Sequence, residues 1–231
     1  MSNNNSNLDK YQNLESIGDI YFFYPLADFI MPFFHDILKL KPNHITTIGF
    51  LSRLFSSYMI LYKKFYHAAL FYTFGYIFDS MDGRMARKYS EGSLFGEAWD
   101  SVADTISTIV VICILLYVNK GKLFWWQWLM LIMFIILMNI WTYTQESWST
   151  FQKTGNYDVL SFKKDKFKNE NGLIPRIYIF INEGSMGIDK LFNISGGFSS
   201  WKNILLNIMP YIGCGNLMIL FGLLILSFQK K

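Results

Sequence analysis

Hydrophobic positions run along this chain in blocks too long and continuous for the half-buried strands or short amphipathic helices of a soluble domain. Six blocks approach the roughly 20 apolar residues that a helix needs to cross a hydrocarbon core. They are His44 to Tyr62, Tyr66 to Asp79 and onward, Leu94 to Val118, Leu123 to Tyr143, Ile174 to Phe192, and Ile204 to Phe228. The fifth is interrupted by Asn182, Glu183 and Asp189. Ahead of them, Ile20 to Leu38 is rich in aromatics but carries Pro25, Asp28, Pro32, His35 and Asp36, a mixture suited to lying along a membrane surface rather than across it. The pattern predicts an all-α integral membrane protein, with about six transmembrane helices preceded by an interfacial amphipathic helix.

The polar positions divide the chain accordingly. The start, MSNNNSNLDK, lacks the apolar centre of a cleaved signal and predicts a disordered tail over 1–17. An interfacial segment over 18–41 and one transmembrane bundle over 42–231 follow. The polar insert from Gln145 to Gly172, with its run FKKDKFKNENG, reads as a solvated, mobile loop. No internal repeat is visible.

Composition removes the soluble alternative: 52% of the 231 residues are hydrophobic, 16% are charged, and mean hydropathy is +0.23. If six spans alternate, Lys39, Lys41, Arg84, Arg87, Lys88, Lys163, Lys164, Lys166 and Lys168 all fall on the side of the N-terminus. The positive-inside rule makes that side cytoplasmic. A formal charge of +4 then needs no nucleic-acid partner, because basic residues flanking spans meet anionic headgroups. Cys113 and Cys214 lie in apolar spans and are expected to be buried free thiols.

One passage does not belong in a membrane. DSMDGRMARKYSEGSLFGEAWDSVAD, from Asp79 to Asp104, sets two carboxylates three residues apart and two more four apart, so each pair shares a helix face. Four converging carboxylates repel one another at low dielectric unless positive charge sits among them. With no His or Cys at ligand spacing, the donor set is all oxygen, which suits Mg²⁺ or Mn²⁺, ions that keep coordination positions for substrate phosphates. Gly83, directly after Asp82, lets a nucleotide approach the helix backbone, and Gly96, on the face of Asp100, lets two helices close up. Arg87 can take a phosphate oxygen through its fork of donors. Arg53, about ten residues into the first span, is expected either to touch a phosphate or, more commonly, to pair with an acid in the bundle. Glu91 and Glu97 read as solvated or supporting groups, and Trp125, Trp126 and Trp128 as part of an aromatic belt.

The passage resembles the signature of the CDP-alcohol phosphatidyltransferase family, D-x2-D-G-x2-A-R-x8-G-x3-D-x3-D. Asp79, Asp82, Gly83, Ala86, Arg87, Gly96, Asp100 and Asp104 fit it without departure. The run KPNHIT is similar to the P-N-x-x-T of many members at Pro42, Asn43 and Thr46. On its own it is equally a helix start capped by Asn43. The resemblance implies that Asp79, Asp82 and Asp100 ligate metal, with Asp104 near a second ion and acting as general base. It implies that Asn43, Thr46, Gly83, Ala86, Arg87 and Gly96 bind the donor nucleotide.

The implied partners are a CDP-linked donor, an alcohol acceptor, the lipid bilayer and a second copy of the chain, although nothing in the composition demands a dimer. Two further echoes conflict over the alcohol. GLIPRIYIF, with Arg176 and Tyr178, resembles phosphatidylinositol synthases, whereas ITTIGF looks like choline and ethanolamine phosphotransferases. The preferred donor is CDP-diacylglycerol, with inositol or glycerol phosphate as acceptor. The alternative is CDP-choline or CDP-ethanolamine acting on diacylglycerol. A cation or proton transporter would also place acids in spans, but it gives no account of the two glycines and Arg87 at fixed offsets.

Overall fold

The computed structural model describes residues 15–120, 122–155, 157–184 and 198–229, and those residues are helical apart from short connections. The N-terminal part is a π-helical turn, Asp19–Phe23, then α1 (Tyr24–Pro32) and a second π-helical turn, Phe33–Ile37. After it come α2 (Pro42–Leu61), α3 (Phe65–Lys88), α4 (Leu94–Val118) and α5 (Trp125–Thr154). The C-terminal part holds α6 (Val159–Lys166), α7 (Leu173–Gly184), α8 (Phe198–Ile212) and α9 (Cys214–Leu226).

Local chemistry sets several boundaries. Pro42 opens α2 at the first helical position, where its missing N–H costs nothing. Ser93 caps α4, its Oγ accepting from the Gly96 N–H at 3.0 Å, and Asp158 caps α6 through the Ser161 N–H, also at 3.0 Å. Gly155, at φ +73°, takes the left-handed turn that ends α5. Lys39, Lys63, Ser90 and Lys120 adopt positive φ just beyond other helix ends. Glycine is usual there, and the three lysines bring a charge that the carbonyl end of a helix favours.

Among the described residues two helices, α4 and α5, are long and apolar enough to cross a membrane. The pair from Trp201 to Leu226, bent by 48° at Gly213, would make a third if it is a single span. α2 and α3 match the first two predicted blocks in position. The fifth block is met by α7 up to Gly184, and its remainder lies outside the described residues, as does the predicted tail over 1–14. Ser16 is fully buried, so the end of the predicted tail is packed.

The aromatic N-terminal segment lies on α3. Phe23, Ala27 and Met31, at four-residue spacing, are buried, while Tyr21, Phe29 and Ile37 are exposed. α2 packs along both α3 and α4, and α9 fits against α3 and α5, where Tyr72, Phe134, Phe221 and Phe228 fill the main core.

Two expectations need correction. The polar insert is not a loop throughout. α5 runs about three turns past the apolar block to Thr154, and α6 then folds back so that Lys163 and Phe167 are buried. The helix continues because nothing between Gln145 and Thr154 breaks it; the first glycine is Gly155. Of the two free thiols, Cys214 is buried but Cys113 is exposed.

Candidate active site

Three helices bring the acidic passage together. α2 carries Asn43 and Thr46 in its first turns, α3 carries Asp79 to Arg87 in its last three, and α4 carries Gly96, Asp100 and Asp104 in its first three. Small residues allow the close approach. A Cβ on Gly49 or on Gly75 would sit 3.1 Å from the other's carbonyl oxygen, and one on Gly96 would sit 2.5 Å from Asn43 Oδ1. These contacts pull α2 against α3 and α4, the packing that small residues permit between apolar helices. Asn43 is not the cap of α2: Lys41 holds that position, and the Asn43 side chain faces Gly96 instead.

Asp79, Asp100 and Asp104 each offer a carboxylate oxygen, and the three oxygens lie within 4.8 Å of one another. Asp82 falls outside that trio and accepts from Thr46 Oγ1 at 2.5 Å, joining the carboxylate to the opening turns of α2. Arg53, only 2% exposed, bridges two members of the trio: Nη2 lies 3.3 Å from Asp79 and Nη1 donates to Asp104. The pairing expectation for Arg53 is therefore what the structure shows, and its guanidinium supplies part of the positive charge that clustered carboxylates require. With all groups ionised, three carboxylates and one guanidinium leave two negative charges, which one divalent ion would balance. The trio is all oxygen, so it fits a hard cation such as Mg²⁺ or Mn²⁺.

Two cavities meet at these acids. A cleft of about 430 Å³ is lined by all six residues expected to bind nucleotide, namely Asn43, Thr46, Gly83, Ala86, Arg87 and Gly96, together with Asp82 and Asp100. The Arg87 guanidinium lies beside Gly83, where a Cβ would come within 3.3 Å of Nη1. A larger cavity of about 610 Å³ runs between α3, α4, α5 and α9 and is lined by all four aspartates as well as Arg53 and Arg87. Asp82, Gly83, Arg87 and Asp100 thus face both spaces.

Some residues at the site carried no signal in the sequence. Asp19, buried beside the larger cavity, accepts from Tyr76 Oη at 2.7 Å, from Ser16 Oγ at 2.7 Å and from the Gly215 N–H at 3.1 Å. It ties the N-terminal segment to α3 and to the first turn of α9. Burial pushes the Asp19 carboxyl up, and the hydrogen bonds from Tyr76 and Ser16 pull it part of the way back. Arg84, which the motif leaves variable, is 3% exposed, grips Asp28 at 2.8 and 2.6 Å, and lies 4.5 Å from the Tyr24 ring centre. That fork fixes α1 across the last turns of α3. Glu97, at the mouth of the smaller cleft, pairs with Lys166 of α6, and Glu91 lies 3.7 Å from His35. Both glutamates keep to a supporting position.

Comparison with known proteins follows the same residues. A segment of 70 residues is 36% identical to the archaetidylinositol phosphate synthase of Pyrococcus horikoshii, covering 30% of this chain. That match spans only 37% of the relative's length. No solved structure matches. The sequence model of the CDP-alcohol phosphatidyltransferases matches residues 39–168, which is more than half of the chain and includes every aspartate of the site. With its apolar helices and its acid-lined junction of two cavities, the chain is a membrane protein and belongs to the CDP-alcohol phosphatidyltransferase family, a family of transferases.

Proposed function

We propose that this protein makes a phospholipid by moving a phosphatidyl group from CDP-diacylglycerol to a small polar alcohol, inositol or glycerol phosphate, with release of CMP. The observation that carries the reading is that two cavities share the carboxylates Asp82 and Asp100, with Asp79 and Asp104 lining the larger one beside them. A nucleotide in the smaller cleft and an alcohol in the larger would meet there.

In this reading Asn43, Thr46, Gly83, Ala86 and Gly96 shape the cytidine pocket, and Arg87 holds a phosphate oxygen. Asp79, Asp82, Asp100 and Asp104 hold Mg²⁺ or Mn²⁺, two ions in all, with Asp82 aligned by Thr46. Bound there, such ions would neutralise the diphosphate and the charge that develops on the leaving group. Asp104 takes the proton of the acceptor hydroxyl. The freed oxygen bonds to the β-phosphorus, the bond from that phosphorus to the bridging oxygen breaks, and CMP leaves with the electron pair. Arg53 holds the Asp104 carboxylate in place from behind.

The wider layout belongs to the same proposal: an interfacial segment over 18–41 and a bundle of six spans over 42–231. The site lies at the cytoplasmic face, and the working unit is a homodimer. The exposed Tyr21, Phe29 and Ile37 of the N-terminal segment support its lying in the interface, since they are apolar yet uncovered by protein. A site at that depth lets a water-soluble nucleotide meet a lipid tail without either leaving its own solvent.

The test uses the purified full-length chain, labelled CDP-diacylglycerol and Mn²⁺. Labelled lipid and CMP should form with an added alcohol and cease on chelation. CMP formation from no alcohol in the panel would refute the proposal, and lipid product only from CDP-choline would reverse donor and acceptor.

A further inference from the structure

Beyond the aspartates, the larger cavity has a wall whose chemistry bears on the acceptor. Asn139, Thr142 and Glu146 of α5 line it. Their spacing of three and then four residues puts them on one helix face. Asn139 Nδ2 donates to the Ile135 carbonyl at 2.6 Å and Thr142 Oγ1 to the Met138 carbonyl at 2.9 Å. The Thr142 hydroxyl and one of the two Asn139 N–H groups are thus spent within α5, which leaves acceptor oxygens on both side chains at the cavity wall.

Glu146 is held by Lys163, whose Nζ lies 3.1 Å from Oε1. Lys163 is 4% exposed and does not line the cavity. Its ammonium also donates to Asn182 Oδ1 at 2.7 Å and lies 5.0 Å from the Tyr178 ring centre. The cation therefore stands behind the carboxylate, balancing its charge and fixing its orientation from α6 and α7. A buried lysine with these three partners is the reason the polar insert folds back onto the bundle.

We infer that this wall selects a neutral polyol as acceptor, with Glu146 as the residue that recognises its hydroxyls. The inference rests on the proposed transferase reading and narrows it. Among the described residues the cations lining the cavity are Arg53 and Arg87. Arg53 is committed to Asp79 and Asp104, and Arg87 sits at the junction with the nucleotide cleft. A phosphorylated acceptor would lose hydration from its dianion with no arginine or lysine on that wall to receive it. A cationic amino alcohol would gain little, because Lys163 already cancels the charge that would attract it. Hydroxyl groups, by contrast, donate well to a fixed, desolvated carboxylate and to amide and hydroxyl oxygens beside it.

The experiment measures CMP release by the full-length protein from CDP-diacylglycerol with Mn²⁺, using four acceptors in parallel: myo-inositol, myo-inositol 1-phosphate, glycerol 3-phosphate and choline. The inference expects kcat/KM for myo-inositol to exceed each of the others by at least about tenfold. In Glu146→Gln, the KM for myo-inositol should rise about tenfold or more, the loss of one charge-assisted hydrogen bond, while donor KM and CMP binding stay within about twofold. Preference for a phosphorylated acceptor or for choline overturns the inference and leaves the transferase reading standing. An unchanged acceptor KM in Glu146→Gln, in protein that still binds CMP, removes Glu146 from the acceptor site. No CMP from any acceptor overturns the transferase reading, and the inference falls with it.

Discussion

The two halves of the bundle are built differently. Between α2, α3 and α4, glycines bring backbones into contact, Thr46 holds Asp82, Arg53 bridges Asp79 and Asp104, and Asn43 lies against Gly96. On the other side of α3 and α4, towards α5 and α9, the walls are farther apart, enclose the larger cavity, and carry single polar side chains such as Glu146, which Lys163 holds from α6. The match to the family runs from residue 39 to residue 168, so it takes in α2 to α6, including the α5 wall of the larger cavity, and stops before α7 and α9. Reaction chemistry tolerates little displacement, and the clustered aspartates stand where helices touch. In the proposed reading, choice of alcohol needs only a change of wall and falls to the larger cavity.

The sharpest way to break that division is to remove the proposed base without disturbing its surroundings. Asp104→Asn should lower kcat by about 10²–10⁴-fold, the usual worth of a positioned base, while CMP binding by calorimetry stays nearly intact. Equal loss of both would make Asp104 a structural member of the cluster. Next in size is Arg53→Ala. Removing the buried guanidinium leaves Asp79 and Asp104 facing each other inside the bundle, and breaking a buried pair in this way costs about 3–5 kcal/mol. A thermal melt in detergent should show a large drop, partly recovered by Mn²⁺, since a cation replaces the lost charge. A melt unchanged from the parent would mean that the three carboxylates need no counter-charge. Smaller again is Arg87→Ala, expected to raise donor KM by about tenfold with acceptor KM little altered. Equal change in both would mean that Arg87, which faces both cavities, contacts acceptor as well as donor and is not specific to the donor phosphate.

The two halves were also unequally legible in the sequence. The acids were readable because spacings of three and four along a helix are local, and Gly96 because a missing side chain at a fixed offset has a meaning on its own. All six residues assigned to the nucleotide line one cleft for the same reason. Pairings between helices far apart in the chain were not readable. Arg53 reaches Asp104 across 51 positions, and Arg84 reaches Asp28 across 56. No periodicity encodes which helix lies beside which. The composition of 162–172 suggested a solvated loop because lysines dominate it, yet Lys163 is buried by partners, Glu146 and Asn182, that lie on two other helices. The Asn43 cap failed through a competing preference, since Pro42 is itself suited to the first helical position and pushed the boundary back to Lys41.

The central claim is that carboxylates from α3 and α4 hold a divalent cation beside a cytidine nucleotide. Titrating Mn²⁺ calorimetrically into the full-length protein, with and without CMP, tests it most directly. The account predicts saturable uptake that tightens with CMP, and loss of that uptake in Asp100→Asn. Equal heats for the parent and Asp100→Asn, or uptake indifferent to CMP, would contradict it.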